Sequence, residues 1–396
     1  VTKLTSRVSG YLLLEDGRRF DGVLMGYLAE GLPAENTAPG IGEVVFQTGM
    51  SGYQEVISDP SYRGQIVTFT SPHIGNTGIN KEDSEAPSPA LAGIIVRSLT
   101  DRPSSWRSEE SLDQFLARHR IPCLSEVDTR ALTRHLRETG ALRGIILQEN
   151  TDAEVALARV RAFPGLIGRD LVQEVAVSAP EKDFRTGGED VLFDEFPKKG
   201  SSEQDGAKIT LIHCGMKNGI DLALRRQGAR VRIVPARASA EEILHGEPDG
   251  LLLSNGPGDP EALEGLIQTL RGLVGRIPIM GICLGHQVLA LALGGRTYKM
   301  KFGHHGINHP VRDVQTGAVL VTSQNHGFAV DPESLNGGAG GERRASVIIT
   351  HESLNDGVTE GFAIPELKVK AVQFHPEAAA GPHDARGIFG DFLAGL

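Results

Sequence analysis

Three side chains in this sequence have the types and settings that nucleophilic acyl chemistry needs: Cys283, His375 and Glu377. Cys283 lies in Pro278-Ile279-Met280-Gly281-Ile282-Cys283-Leu284-Gly285-His286-Gln287. A short apolar run reads as a buried strand, and Val288, Leu289, Leu291 and Ala292 then recur at helical spacing. Glycines on both sides of the cysteine allow a tight, strained turn that pushes the middle side chain out at the end of the strand. A thiol at a helix amino terminus feels the positive end of the macrodipole, and such thiols titrate at ~3.5–7.5 rather than ~8.5. The Leu284 amide points the same way and suits an oxyanion. A cysteine is also a common buried packing residue, so Gly-Ile-Cys-Leu-Gly alone leaves both readings open.

The second piece is His375-Pro376-Glu377, which follows the alternating run Lys368 to Phe374. Residues two apart on an extended segment share a face, and the intervening proline fixes its own φ and adds no donor. That arrangement suits a base and its orienting carboxylate: the imidazole takes the thiol proton and later returns it to a leaving amine. The third piece is Leu252-Leu253-Ser254-Asn255-Gly256-Pro257-Gly258-Asp259-Pro260, a strand running into glycines whose amides can gather around negative charge. No Gly-Lys-Ser/Thr follows, so a phosphate loop is disfavoured against an oxyanion donor or a carboxylate cradle. His304, His305 and His309 lack the cysteine or carboxylate company of a metal site in the sequence, and none is expected.

The elements that must position these residues fall into two halves. Strand-like runs open the chain at Tyr11 to Leu14, Val23-Leu24, Gly42 to Phe46, Gln65 to Thr70 and Leu91 to Val96. Helical periodicity follows at Glu109 to His119, at Asp128 to Glu138 with a stop at Gly140, and from a Thr151-Asp152 cap to Phe163. We read residues 1–168 as a β-rich α/β domain and 169–206, which is charged and turn-rich, as a connection. Residues 207–396 alternate strands at Lys208 to His213, Arg230 to Val234 and Asp249 to Leu253 with helices at Asn218 to Gln227, Ala240 to His245 and Pro260 to Val274. That rhythm predicts an α/β domain with a mostly parallel open sheet flanked by helices, binding ligands beyond the strands' carboxyl ends. Shorter strands are expected at Thr297 to Lys301, Ala318 to Thr322, Phe328 to Val330 and Ser346 to His351.

The 396 residues exceed what one core usually holds, in agreement with two domains. A net charge of −10 disfavours a nucleic-acid binder or a membrane-surface protein, since either needs a basic footprint. Nothing in the sequence reads as a targeting segment or a membrane span, and three scattered cysteines, Cys123, Cys214 and Cys283, suit a reducing compartment; a cytoplasmic protein is the expectation. Cys123 and Cys214 read as inert packing residues.

Taken together, the elbow, the Ser254 to Pro260 loop and Gln373-Phe374-His375-Pro376-Glu377 resemble the three signatures of class I (triad) glutamine amidotransferases. Further stretches are similar to the carbamoyl phosphate synthetase small-subunit family: Gly52-Tyr53-Gln54-Glu55, Asp59-Pro60-Ser61-Tyr62, Pro72 to Asn76, Val127 to Arg130, Lys301 to Gly306 and Gln324 to Phe328. The resemblance covers nearly the whole chain. It implies hydrolysis of L-glutamine to glutamate and ammonia through a thioester on Cys283, with His375 and Glu377 completing the triad. It places glutamine against Ser61, Gly256, Gly258, Leu284, Gln287, Asn325, Gly327 and Phe328, with the amides of Leu284 and Gly256 as the oxyanion hole.

The family also implies a large synthetase subunit as partner, reached by an ammonia tunnel, with ATP and metal ions on that subunit and no cofactor in this one. Its product serves arginine and pyrimidine synthesis. Residues 1–168 then associate with the large subunit and supply part of the glutamine site. Rival readings are a glutaminase for an anthranilate- or GMP-type synthase, which the first-domain motifs disfavour, and a silent regulatory subunit, which the intact Cys283, His375 and Glu377 disfavour. Three departures stand out: His213 where the family pattern has an acidic residue, and apparent insertions at 27–42 and 337–344.

Overall fold

The computed structural model describes residues 8–28, 31–33, 36, 38–186, 206–335 and 346–396. The insertion expected at 337–344 and most of the later half of the 169–206 connection lie outside these residues, as does part of 27–42. The chain divides into two compact units, Val1–Ile167 with Lys301–His305, and Gly168–Met300 with Gly306–Leu396.

In the first unit, β1 (Val8–Leu14), β2 (Arg19–Gly26), β3 (Ile41–Gln47), β4 (Gln65–Phe69), β5 (Gly93–Ile95), β6 (Pro122–Ser125) and β7 (Leu142–Gln148) form a closed barrel in the order β1-β2-β6-β5-β4-β3-β7. The run Tyr11 to Leu14 is apolar at every position because both of its faces are covered. Leu12 and Leu14 join a cluster with Val44, Ile66 and Leu124, while Tyr11 and Leu13 pack with Ala156 and Val160 of the helix Ala153–Ala162 and with its C-cap, Phe163. That helix is capped by Asp152, and the helix Thr129–Thr139 by Asp128, which accepts from the Ala131 amide at 2.9 Å. The helix expected from Glu109 starts later, at Leu112, because Ser111 and Gln114 form a reciprocal capping box there.

A second sheet, in the second unit apart from Lys301–His305 of β12, is built from β8 (Lys208–His213), β9 (Arg230–Pro235), β10 (Gly250–Leu253), β11 (Ile279–Ile282), β12 (Arg296–Asp313), β13 (Val319–Asp331), β14 (Ile348–Ser353), β15 (Thr359–Ile364) and β16 (Val369–Val372), nine strands ordered β13-β12-β14-β15-β16-β11-β10-β8-β9. The five strands from β16 to β9 are parallel, and β15, β14 and β12 join antiparallel. Both faces of the parallel part are buried. Leu251 and Leu253 pack on one side with helices Glu264–Leu273 and Leu284–Ala292, and Leu252 packs on the other with Asn218–Arg226 and Gly387–Ala394. Where short strands were expected at 297–301, 318–322 and 328–330, the chain instead makes two long ones, β12 and β13, of 18 and 13 residues. Polar residues such as His305 and Asn325 interrupt the apolar pattern there without interrupting the backbone ladder.

Candidate active site

The strand order β16-β11-β10-β8 sets four parallel carboxyl ends side by side, and each delivers one part of the site. After β11 comes the elbow. Cys283 has φ 53° and ψ −104°, a conformation few non-glycine residues adopt, and it is the N-cap of the helix Leu284–Ala292. The flanking glycines are required by contact: a Cβ on Gly281 would lie 2.6 Å from the Gly285 carbonyl oxygen, and one on Gly285 would lie 2.5 Å from that of Leu253. The Cys283 thiol points toward the Asn325 carbonyl of β13 at 3.5 Å. Leu284 is the first residue of the helix, so its N–H has no intrahelical acceptor.

After β16, His375 and Glu377 face the same way, and His375 Nδ1 donates to Glu377 Oε1 at 2.7 Å. Both are buried, and His375 Nε2 makes no hydrogen bond to a described residue, leaving that nitrogen for the thiol side. Burial alone would lower the His375 pKa. The Glu377 carboxylate and the negative charge of Cys283 outweigh it and raise the pKa well above the usual imidazole range. Burial would raise Glu377, but the cations of Lys217 and His375 hold it below the usual carboxylate range.

Lys217 was not among the expected site residues. It follows the turn after β8, is 3% exposed, and its Nζ lies 3.0 Å from the same Glu377 oxygen. Its backbone amide donates to Asn255 Oδ1 at 3.0 Å, which ties the β8 end to the β10 loop. The signal available in the sequence was its position, a lysine just past a strand end that aligns with the other three. His213, at the expected acidic position, is half-buried, accepts from the Gly215 amide, and has its pKa lowered by burial.

Of the expected substrate positions, Gly256 and Gly258 sit in the loop after β10. A Cβ on Gly256 would meet the Cys214 carbonyl at 2.1 Å and Leu284 Cδ2 at 2.8 Å, so the loop lies directly against the elbow. Gly258, at φ 92°, packs against Arg169 and Leu171 of the same unit. Asn325, Gly327 and Phe328 lie on β13, and Gln287 on the elbow helix bonds the Phe328 carbonyl at 2.8 Å. Ser61 belongs to the other unit, in the turn Pro60–Tyr62, where its amide donates to Asp59 at 2.8 Å. A nucleophile at a strained elbow, an imidazole held by a buried carboxylate, and the Leu284 amide at the helix start are the equipment for acyl transfer through a covalent intermediate.

Residues 210–394 match the family model described as Glutamine amidotransferase class-I, which defines the class of this unit. Residues 12–146 match the model described as Carbamoyl-phosphate synthase small chain, CPSase domain. The chain is 45% identical over 383 residues to the carbamoyl phosphate synthase small chain of Bacillus caldolyticus, covering 97% of this chain and 95% of that one. It is 46% identical over 385 residues to the Thioalkalivibrio sulfidiphilus small chain (96% and 96%), and 44% identical over 388 to that of Salmonella typhimurium (97% and 96%). This chain therefore belongs to the carbamoyl phosphate synthase small-chain family.

Proposed function

We infer that this chain is the glutamine-hydrolysing subunit of a carbamoyl phosphate synthase, and that Cys283, His375 and Glu377 carry the hydrolysis. The observation that carries the reading is the buried 2.7 Å His375–Glu377 hydrogen bond, set beside a cysteine at a positive-φ elbow. Cys283 attacks the γ-carboxamide carbon of glutamine, and the oxyanion forms against the Leu284 and Gly256 amides. As the C–N bond breaks, His375 gives its proton to the nitrogen, and ammonia leaves a γ-glutamyl thioester behind. His375 then takes a proton from water, whose attack releases glutamate and restores the thiol. Glu377, held charged by Lys217, keeps the imidazole oriented and favours its protonated form. Glutamine is a zwitterion, and the backbone amides of Gly256, Gly258 and Gly327, with Asn325, Gln287, Phe328 and Leu284, offer neutral polar contacts of the kind it needs.

The partner is a large synthase subunit, which receives the ammonia by an internal path and uses ATP, with its metal ions, to join it to activated bicarbonate. The complex feeds arginine and pyrimidine synthesis. A cytoplasmic setting suits the three free cysteines, and no helix among the described residues is long and apolar enough to cross a membrane. The test is Cys283→Ser in the reconstituted complex. Glutamine-dependent synthesis falls at least about a thousandfold while ammonia-dependent synthesis is unchanged. Undiminished glutamate release by the variant would overturn the assignment.

A further inference from the structure

Gln373, Gln287 and the base form a second ordered array beside the triad. Gln373, His375 and Glu377 are alternate residues of the segment that follows β16, and all three are buried. Across from them, Cys283 and Gln287 are four apart at the start of the elbow helix, where the Gln287 amide donates to the Cys283 carbonyl at 3.2 Å. Two rungs therefore join the elbow helix to the segment after β16. Cys283 faces His375, and Gln287 Nε2 donates to Gln373 Oε1 at 3.0 Å. The same Nε2 donates to the Phe328 carbonyl at 2.8 Å. A backbone carbonyl can only accept, so this contact fixes which end of the Gln287 amide is nitrogen. With both Nε2 hydrogens committed, the carbonyl oxygen is what Gln287 has left to present.

The last torsion of a glutamine is broad and nearly two-fold, so the amide's direction must come from its neighbours. Phe328 alone fixes one hydrogen and leaves the amide plane free to swing; a second acceptor in the plane stops it. Gln373 is itself anchored, with its backbone amide donating to the Glu360 carbonyl at 2.9 Å.

We propose that Gln373 is a positioning residue for substrate recognition: through its acceptor oxygen it locks the Gln287 amide, so that the Gln287 carbonyl accepts a hydrogen bond from the N–H donors of glutamine. The inference rests on the reading of Gln287 as a glutamine contact. It also explains why recognition and catalysis stay in register, since the segment that carries the base carries the lock.

The test is steady-state glutamate release by the full chain in complex with its large partner, using Gln373→Met, Gln287→Met, the double variant and Gln373→Glu. Gln373→Met raises the KM for glutamine about tenfold with kcat within about threefold, the scale of one misaligned hydrogen bond to a charged or polar substrate group. The double variant is no worse than Gln287→Met alone, because Gln373 acts only through Gln287. Gln373→Glu keeps an acceptor oxygen and restores the KM to within about threefold of wild type. An unchanged KM in Gln373→Met, fold-changes that multiply in the double variant, or no rescue by glutamate would overturn the proposal while leaving the glutaminase reading intact. Absence of glutamate release by the wild-type complex would instead overturn that reading, and this inference with it.

Discussion

Cys214 and Cys283 both stand at the carboxyl ends of parallel strands in one sheet, both are buried, and their surroundings differ. Cys214 follows β8. Burial, with the Asp170 charge adding to it, pushes its thiol up to about 12, and its amide is spent on Ser254 Oγ at 2.9 Å. Cys283 follows β11 at positive φ, caps a helix, and has an imidazole whose pKa is raised by the surrounding anions. The strand end supplies a place, and what faces the sulfur supplies the reactivity. The β8 turn is not idle, however: three residues past its buried cysteine, Lys217 reaches Glu377 beyond the end of β16.

That dependence gives the largest effect with which to break the comparison. Lys217→Met strips a buried carboxylate of its cation, which costs about 3–5 kcal/mol when a buried pair loses one partner. The sign for pH follows from the direction of the Glu377 shift. Its folded pKa lies below the unfolded value, so its stabilisation is present above that value and is lost as pH falls through the folded one. Without Lys217, burial lifts the folded pKa, and the acid limbs of both activity and stability move to higher pH. Paired kcat and melting profiles check this, and an unmoved acid limb would mean that the β8 end contributes nothing to the elbow.

A smaller effect sharpens the comparison from the elbow side. His286, on the elbow helix and fully buried, is pushed down to about 3 by burial, so it is neutral in the folded protein. A depressed folded value means stability present above its unfolded pKa of ~6.5 and lost as pH falls toward 3, with a slope of about 1.4 kcal/mol per pH unit. Urea unfolding at stepped pH should show that slope in wild type and its loss in His286→Leu. Parallel curves for the two would place the acid sensitivity elsewhere.

Much of this site was legible because its pieces are local. The Gly281 to Gly285 elbow announces itself by a strand run, two glycines and a helical run, and His375-Pro376-Glu377 by an extended segment that ends in chemistry. The parallel half of the second unit was readable for the same reason. What escaped was long-range. The Lys217–Glu377 contact spans 160 residues, and a lysine in a sequence reads as solvated until a fold buries it. Closure of the barrel escaped too, since strands apolar on both faces, such as β1, do not say which strands they pair with. The long β12 and β13 were hidden by polar residues whose backbones remain in the ladder.

The most direct measurement is to find where the acyl group sits. The complex is mixed with glutamine, quenched in acid during turnover and digested, and the cysteine peptides are mapped by mass spectrometry. A γ-glutamyl thioester on Cys283, with Cys123 and Cys214 unmodified, is the predicted result. Glutamate release with no adduct on Cys283, or an adduct on either other cysteine, would contradict the account.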